Sequence, residues 1–208
     1  MDSLWFSSSP VWCLYCFRGY VGCVLKTRRP FFKNSGFYIM TNPYNITEIN
    51  KMNREAFVSE FGAVFENSPW AADLAFESAP FDSPDSLCAT LCQVVEDANE
   101  NLKLELLRAH PELGTNKLMT EASAREQRGA GIQYSGDEGA DLLRELNAEY
   151  RNKNGFPFII AVKGLTKDKI IEALNERLQH NRDTEFDCAI AEVMKIGRFR
   201  LQDIFQPE

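Results

Sequence analysis

The two histidines of the chain are the first candidates for acid–base chemistry, because an imidazole titrates near neutral pH. His110 follows an apolar run and precedes Pro111, and a residue before proline is pushed out of the helical conformation. We therefore expect His110 at the end of a helix. There it either bonds to the last helix carbonyls as a structural residue or acts as an acid or base. His180 lies in a polar run, 179–182, and is expected at the solvent-exposed surface.

Three polar residues share one face of a predicted helix. Ser123, Glu126 and Gln127 follow each other at helical spacing, so a hydroxyl, a carboxylate and an amide lie on the same side. Such a face either holds a small polar ligand or is an ordinary solvated surface. Arg198 and Arg200 lie in the last predicted helix beside an apolar stripe. Each either lies along that stripe or offers a fork to a carboxylate.

Composition and missing motifs narrow the class of protein. The 208 residues carry a net charge of −7, with 44% hydrophobic and 25% charged residues, as in an ordinary globular domain. The acidic balance argues against a nucleic-acid binder, and the sequence has no apolar run of about 18 residues for a membrane helix. It also has no glycine-rich phosphate loop, no paired metal-ligand motif and no serine nucleophile elbow. We therefore expect no nucleotide cofactor, no metal, no nucleic acid and no membrane partner.

Residues 1–39 differ from the rest of the chain. This segment has one acid against five bases, ten of the 24 aromatic residues and three of the six cysteines. We interpret it as a basic, aromatic extension outside the fold, with Met40 as the working start of the domain 40–208. A targeting segment and a membrane or partner-binding arm are the alternatives. The pair Cys13 and Cys16 has no second pair at zinc spacing, so a metal site there is not favoured.

Beyond Met40 the apolar residues recur at helical spacing, which predicts an all-α, single-domain bundle of about eight helices. The helix that starts at Asn53 is expected to include Val64 and Phe65, and a longer one presents Leu142 and Leu143. The other helix starts come from capping residues, at Ser68, Ser83, Thr120, Thr166 and Thr184. Only the run 158–162 is β-like, and it either is extended or begins a helix.

Several motifs together resemble one enzyme family. The first two are Ala109-His110-Pro111-Glu112-Leu113 and Thr120-x-x-Ser123-x-x-Glu126-Gln127-x-x-Ala130-Gly131. The others follow in family order: Ser68-Pro69-Trp70, Pro80-Phe81, Asn147-x-x-Tyr150, Gly155-Phe156-Pro157-Phe158-Ile159 and Arg198-Phe199-Arg200-Leu201. The ordered set resembles the 2-oxo-4-hydroxy-4-carboxy-5-ureidoimidazoline (OHCU) decarboxylases, and the resemblance covers the body of the chain without the extension.

The resemblance implies an all-α fold and a reaction that converts OHCU into (S)-allantoin and CO2 in urate degradation, without cofactor or metal. It assigns the acid to His110 and a partner carboxylate to Glu126. The functional arginine of the last helix matches Arg200 best, with Arg198 as the alternative. The implied substrate contacts are Pro111, Ser123, Gln127 and the backbone of Phe158, Ile159, Ile160, Ala161 and Val162.

Two other interpretations stay open from the sequence. A non-catalytic ureide-binding or interaction protein could keep the scaffold, and an enzyme of the same fold could act on a related ureide. The intact polar set favours the decarboxylase.

The resemblance also implies a homodimer that binds a small ureide. The chain ends Phe205-Gln206-Pro207-Glu208, which is not a peroxisomal tripeptide, so we expect the protein in the cytoplasm.

Overall fold

The computed structural model describes residues 45–115, 119–132 and 138–205, with the backbone alone at 138–140. The all-α prediction is confirmed, since these residues form nine α-helices and no β-strand. The unpredicted helix is α1, a single turn, and a 3-10 turn (Phe76–Ser78) follows α3. The expected extension, residues 1–39, lies outside the described residues. The helices are α1 (Ile46–Ile49), α2 (Arg54–Phe61), α3 (Trp70–Ala75), α4 (Pro84–Asp97), α5 (Glu100–Ala109), α6 (Glu121–Gly129), α7 (Glu138–Asn154), α8 (Lys167–Arg177) and α9 (Arg182–Phe205).

Side-chain caps fix most of the helix starts. Ser83 forms a capping box with Ser86, and the side chains of Asn53, Thr120 and Thr166 each accept a hydrogen bond from the first turn of their helix. These starts agree with the sequence prediction.

Two predicted starts are wrong. At α3, Pro69 occupies the capping position in a helical conformation, and no side chain caps the helix, so Ser68 is not the cap. The last helix begins at Arg182 instead of Thr184, because the side chain of Asn181 accepts a hydrogen bond from the Thr184 N–H at 2.9 Å.

The ends of the helices set the chain direction at the site. His110 ends α5 in an extended conformation (φ −72°, ψ 139°), as the following proline requires. Gly155 follows α7 with φ +81°, a left-handed conformation that favours glycine. α2 ends at Phe61, so Val64 and Phe65 are buried in the loop beyond it and not on the predicted helix. The run 158–162 forms neither helix nor strand.

Helix α9 packs closely against the loop after α2. A Cβ atom at Gly197 would lie 2.3 Å from the ring of Phe65, so only glycine allows this approach. On α7, Leu143 is buried, as predicted. Leu142 was predicted on the same apolar face, but it is 44% exposed, so that prediction is wrong. In the described residues no helix is long and apolar enough to cross a membrane.

Candidate active site

One cleft gathers the residues that the sequence analysis singled out. It is lined by the segment that follows α5, by α6 and α9, and by the irregular run 158–162. Of the predicted residues, only Ala161 is not among those that line it. The lining residues are His110, Pro111, Leu113, Ser123, Glu126, Gln127, Phe158, Ile159, Ile160, Val162, Ile196 and Arg200. Arg198, the alternative arginine, is solvent-exposed and does not line the cleft.

The imidazole of His110 is fixed by one hydrogen bond and open at its other nitrogen. Its Nδ1 lies 2.8 Å from the carbonyl oxygen of Leu106, one turn earlier in α5. A carbonyl only accepts, so Nδ1 carries the proton and Nε2 of the neutral ring holds a lone pair. Nε2 is buried and has no hydrogen-bond partner in the described part of the chain. Burial lowers the pKa of His110 below its ordinary value, which favours the neutral ring.

Glu126 is held in place by a fork from Arg200. The Nε and Nη2 atoms of Arg200 donate to the two carboxylate oxygens of Glu126 at 2.8 and 2.9 Å. Arg200 is 7% exposed in its side chain, whereas Glu126 is 26% exposed and therefore reaches the cleft. Burial opposes the charge of Arg200, but the hydrogen bonds and charge of its carboxylates outweigh it, so the pKa of Arg200 is raised.

A second carboxylate, that of Glu66, completes this buried network. Its oxygens accept hydrogen bonds from Ser123 Oγ at 2.7 Å, from Arg200 Nη1 at 3.0 Å, and from the N–H and hydroxyl of Thr120, both at 3.1 Å. Burial raises the pKa of Glu66, but the hydrogen bond from Ser123 and the charge of Arg200 together lower it below its ordinary value. Glu66 therefore stays charged and fixes Arg200 from the side opposite Glu126.

Sequence reasoning missed Glu66, which lies in a loop with φ +56°, a conformation rare for residues with a side chain. No helical spacing relates it to Ser123 or Arg200. The one available signal was an acid directly after the apolar pair 64–65, in a stretch that is buried in the structure. Its role depends on contacts between distant parts of the chain, and a local pattern does not reveal them.

Gln127 helps to shape the wall of the cleft. Its side-chain oxygen accepts a hydrogen bond from the N–H of Gly114 at 3.0 Å, where Gly114 turns with φ +71°. Its amide nitrogen contacts the sulfur of Met119 at 3.7 Å, and a thioether is a weak acceptor. The donor side of this amide therefore remains available for a stronger acceptor in the cleft.

The irregular run 158–162 contributes backbone to the opposite wall. The N–H of Ala161 donates to Glu192 Oε2 of α9 at 2.8 Å, so this N–H is already used. The carbonyl of Ile159 accepts from Arg177 Nη1 at 2.6 Å. No other N–H of this run donates to a residue in the described ranges. Four backbone donors, that of Ile160 among them, therefore lack an acceptor among the described residues.

His180 lies outside the cleft, and the prediction that it is solvent-exposed is only partly correct. The side chain is 32% exposed, and its Nδ1 lies 3.0 Å from a carboxylate oxygen of the fully buried Glu185. Polar neighbours in the sequence indicated exposure, but this contact draws the ring into the protein.

A comparison with known protein families identifies the family of the chain that forms this cleft. The family model described as OHCU decarboxylase matches residues 50–202. The chain belongs to the OHCU decarboxylase family. It is 39% identical over 163 residues to the 2-oxo-4-hydroxy-4-carboxy-5-ureidoimidazoline decarboxylase of Haloferax volcanii. This match covers 78% of the present chain and 97% of the relative.

Two further similar proteins show how far the likeness extends. A uric acid degradation bifunctional protein of Bacillus sp. (strain TB-90) is 41% identical over 161 residues, 77% of this chain. The match spans only 32% of that longer relative. A crystal structure of an OHCU decarboxylase in the presence of (S)-allantoin aligns with a TM-score of 0.59 and 28% identity, over 68% of this chain and 94% of that one.

Proposed function

We propose that this protein decarboxylates OHCU to (S)-allantoin and CO2 in urate degradation, as a carboxy-lyase. The observation that carries the proposal is the buried Nε2 of His110, which has no hydrogen-bond partner among the described residues. It lies in a cleft that also holds the anchored carboxylate of Glu126. An acid–base group and a fixed carboxylate in one small cleft suit a reaction that transfers protons and loses CO2. Family membership supports the same activity.

The chemistry of the substrate explains why its own atoms suffice as an electron sink. Loss of CO2 breaks the bond from C4 to the carboxyl carbon and leaves its electron pair on C4. The neighbouring ring C=N bond accepts that pair, so C4 and C5 become doubly bonded and the ring nitrogen gains the charge. Protonation at C5 on one face and loss of the C4 hydroxyl proton, together with protonation of the ring nitrogen by solvent, then give (S)-allantoin. Other decarboxylases use pyridoxal or thiamine for this purpose.

His110 is placed to move the proton between these two positions. The ring of the free protein is neutral, because burial lowers its pKa, and Nε2 therefore accepts first. In our proposal Nε2 takes the proton of the C4 hydroxyl as CO2 leaves and then delivers a proton to C5. The family resemblance assigns the role of acid to His110. In this proposal the ring becomes that acid only after it has taken a proton from the substrate. The bond to Leu106 keeps Nε2 directed at one face.

Glu126 and Arg200 act as a unit in this proposal. All five N–H groups of Arg200 have acceptors, which are Glu126, Glu66, Ser123 and the carbonyls of Ala63 and Val64. Arg200 therefore serves to hold Glu126, and a direct bond to the substrate carboxylate would need one of these contacts to break. Glu126 accepts a hydrogen bond from an N–H or O–H of the substrate and orients it.

The experiment that tests the proposal generates OHCU in place. Urate oxidase and hydroxyisourate hydrolase convert urate to OHCU, and circular dichroism follows the formation of (S)-allantoin after this protein is added. We expect fast, enantioselective product formation that falls by about 10²–10⁴ in His110→Asn, the usual contribution of a positioned acid–base group. Far-UV circular dichroism of the variant checks that it keeps its helices.

Arg200 has a matched control two residues away in the same helix. Arg200→Lys loses the fork to Glu126 and is expected to lose most activity, whereas Arg198→Lys changes an exposed residue and is expected to keep it. Equal effects of the two substitutions would contradict the role given to Arg200.

The non-catalytic alternative makes a different prediction in the same assay. A folded wild-type protein that binds (S)-allantoin but gives only the slow racemic background would refute the decarboxylase and favour a ureide-binding protein. Turnover of a related ureide but not of OHCU would favour another enzyme of the same fold.

Three finer properties belong to this proposal. We infer from the family resemblance that the protein is a homodimer, and light scattering after size-exclusion chromatography tests this. We infer from the substrate chemistry that no cofactor or metal is needed, and activity that is unchanged after dialysis against a chelator tests the metal part. We also propose that it works in the cytoplasm, which fractionation of the source cells would test.

A further inference from the structure

We propose that Arg177, held by the buried carboxylate of Glu185, is a positioning residue that directs the backbone N–H of Ile160 to the substrate. This inference rests on the proposed function, because the substrate defines what the N–H group recognises. The acceptor is a carbonyl oxygen of the ureido group or the ring, since a backbone amide is an uncharged donor. Nothing in the motifs of the family resemblance includes Arg177 or Glu185.

Arg177 contacts the run 158–162 in two ways. Its Nη1 donates to the carbonyl oxygen of Ile159 at 2.6 Å, and its guanidinium carbon lies 4.7 Å from the centre of the Phe158 ring. The side chain is 10% exposed, so water does not compete strongly for these bonds. Arg177 does not line the cleft, whereas both Phe158 and Ile159 do. It therefore supports the wall of the cleft from behind.

A buried cluster holds Arg177 in this position. Its Nε donates to Glu185 Oε1 at 2.6 Å, and its Nη2 contacts the same oxygen. The hydroxyl of Tyr150 also donates to Glu185, and His180 bonds the other oxygen at 3.0 Å. Glu185 has no solvent exposure. The charges of Arg177 and Glu185 offset each other, although Arg177 Nη2 makes no hydrogen bond among the described residues. The buried cluster therefore fixes the guanidinium more strictly than a surface ion pair would.

The planarity of the peptide bond transmits this restraint to Ile160. The carbonyl of Ile159 and the N–H of Ile160 belong to one trans peptide group, in which they point in opposite directions. Because Arg177 binds the carbonyl and does not line the cleft, we take the opposite N–H to point towards the cleft side. That N–H donates to nothing in the described residues, and Ile160 lines the cleft. It is thus a preformed donor without a partner.

A second restraint lies one residue further along. The N–H of Ala161 donates to Glu192 Oε2 at 2.8 Å, which fixes the next peptide group. With the Ile159 carbonyl and the Ala161 N–H both held, the peptide between residues 159 and 160 cannot rotate freely. Loss of the bond from Arg177 removes one of these two restraints, and the peptide then samples orientations in which its N–H no longer meets the substrate.

The experiment compares Arg177→Lys with Arg54→Lys. Arg54 makes the same kinds of contact at a more exposed site, 45% against 10% for Arg177. Its guanidinium binds a backbone carbonyl and a carboxylate, both of Asp73, and lies over the ring of Phe76 at 5.3 Å. It does not line the cleft. We expect Arg177→Lys to raise KM for OHCU about three- to tenfold, the value of one hydrogen bond to an uncharged acceptor, with kcat within about threefold. Arg54→Lys should leave both constants unchanged.

Hydrogen exchange gives a readout that does not depend on turnover. A peptic peptide that contains residues 158–162 should exchange faster in Arg177→Lys than in the wild type, and at the wild-type rate in Arg54→Lys. Unchanged exchange in Arg177→Lys would overturn the inference, as would a fall in kcat at constant KM. A wild-type protein without decarboxylase activity would contradict the proposed function, while exchange would still decide whether Arg177 holds the segment.

A double variant covers the case in which Arg177→Lys does not fold. Arg177→Met with Glu185→Gln removes both buried charges together and leaves Tyr150 an acceptor, so no lone charge remains in the interior. It should show the same rise in KM and the same faster exchange, because the Ile159 carbonyl again has no donor. Wild-type KM in this folded double variant would refute the positioning role.

Discussion

Replacing Glu66 by glutamine removes the charge of a buried carboxylate and keeps its size. The carboxylate accepts four hydrogen bonds, three at Oε2 and one, from the Thr120 N–H, at Oε1. The glutamine oxygen is expected at the Oε2 position, where it still faces three donors. The amide NH2 then faces the N–H of Thr120, and two donors oppose each other there. The variant therefore loses one hydrogen bond outright and the charge assistance of the others.

The cost can be worked from these contacts. A donor left without a partner costs about 1–3 kcal/mol, and bonds to a charged group are worth about 1.5–3 kcal/mol against about 1 kcal/mol for uncharged ones. Arg200 keeps its fork to Glu126, so the cost stays below that of a lone buried charge. We expect the free energy of unfolding to fall by about 2–4 kcal/mol, or Tm by about 5–15 °C for a domain of this size.

Urea unfolding followed by far-UV circular dichroism measures this loss. The control is Glu149→Gln, the same change at an exposed position of α7, which should alter stability by less than about 0.5 kcal/mol. A double-mutant cycle with Ser123→Ala isolates the bond between Ser123 Oγ and Glu66, 2.7 Å long, and should give a coupling of about 0.5–3 kcal/mol.

The pH dependence of the same variant has a definite sign. The pKa of Glu66 is lower in the folded protein than its ordinary value of 4.5, so its contribution to stability is present above pH 4.5 and is lost as pH falls through the lowered pKa. The difference between wild type and Glu66→Gln should shrink over that acidic range. A cost below about 0.5 kcal/mol at neutral pH, or additive effects of Glu66 and Ser123, would show that the buried network is not formed as described.

Two further predictions concern stability. Burial lowers the pKa of His110 below 6.5, so the unfolded chain binds the proton more tightly than the folded protein does. The wild type should therefore lose stability relative to His110→Asn as pH falls below about 6.5. If the urea midpoints of the two proteins shifted equally between about pH 7.5 and 5.5, this prediction would be wrong. Gly197→Ala should lower the free energy of unfolding by about 1–3 kcal/mol, because its Cβ would lie 2.3 Å from the Phe65 ring. The control is Gly129→Ala, where nothing lies within 4 Å of the added Cβ. In thermal unfolding this control should be neutral or stabilising by up to about 1 kcal/mol.

Local sequence signals were sufficient where local chemistry decides the structure. Ser83 with Pro84 and Thr166 marked helix starts correctly, since a cap acts within one turn. His110 was placed at a helix end by the proline that follows it. At Ser68 the same kind of signal failed, because the proline adopts a helical conformation and itself takes the capping position.

Long-range contacts explain what the sequence did not reveal. Glu66 and Arg200 are 134 residues apart, and Arg177 reaches Ile159 through a fold that no motif spans. His180 was expected in solvent from its neighbours, but its partner Glu185 is buried by the packing of α9. The family motifs predicted which side chains line the cleft, and the supporting partners emerged only from the three-dimensional contacts.

The 24-residue helix α9 has a consequence for how this chain can change in evolution. One rigid rod carries Glu185 and Glu192, which restrain the backbone wall, and Arg200, which holds Glu126. The sixteen residues from Glu185 to Arg200 span about 22 Å, and each added residue turns the remainder of the helix by about 100°. A single insertion or deletion between Glu192 and Arg200 would therefore swing one wall away from the other. Length variation among related chains should be absent from this stretch and fall in the connecting loops instead.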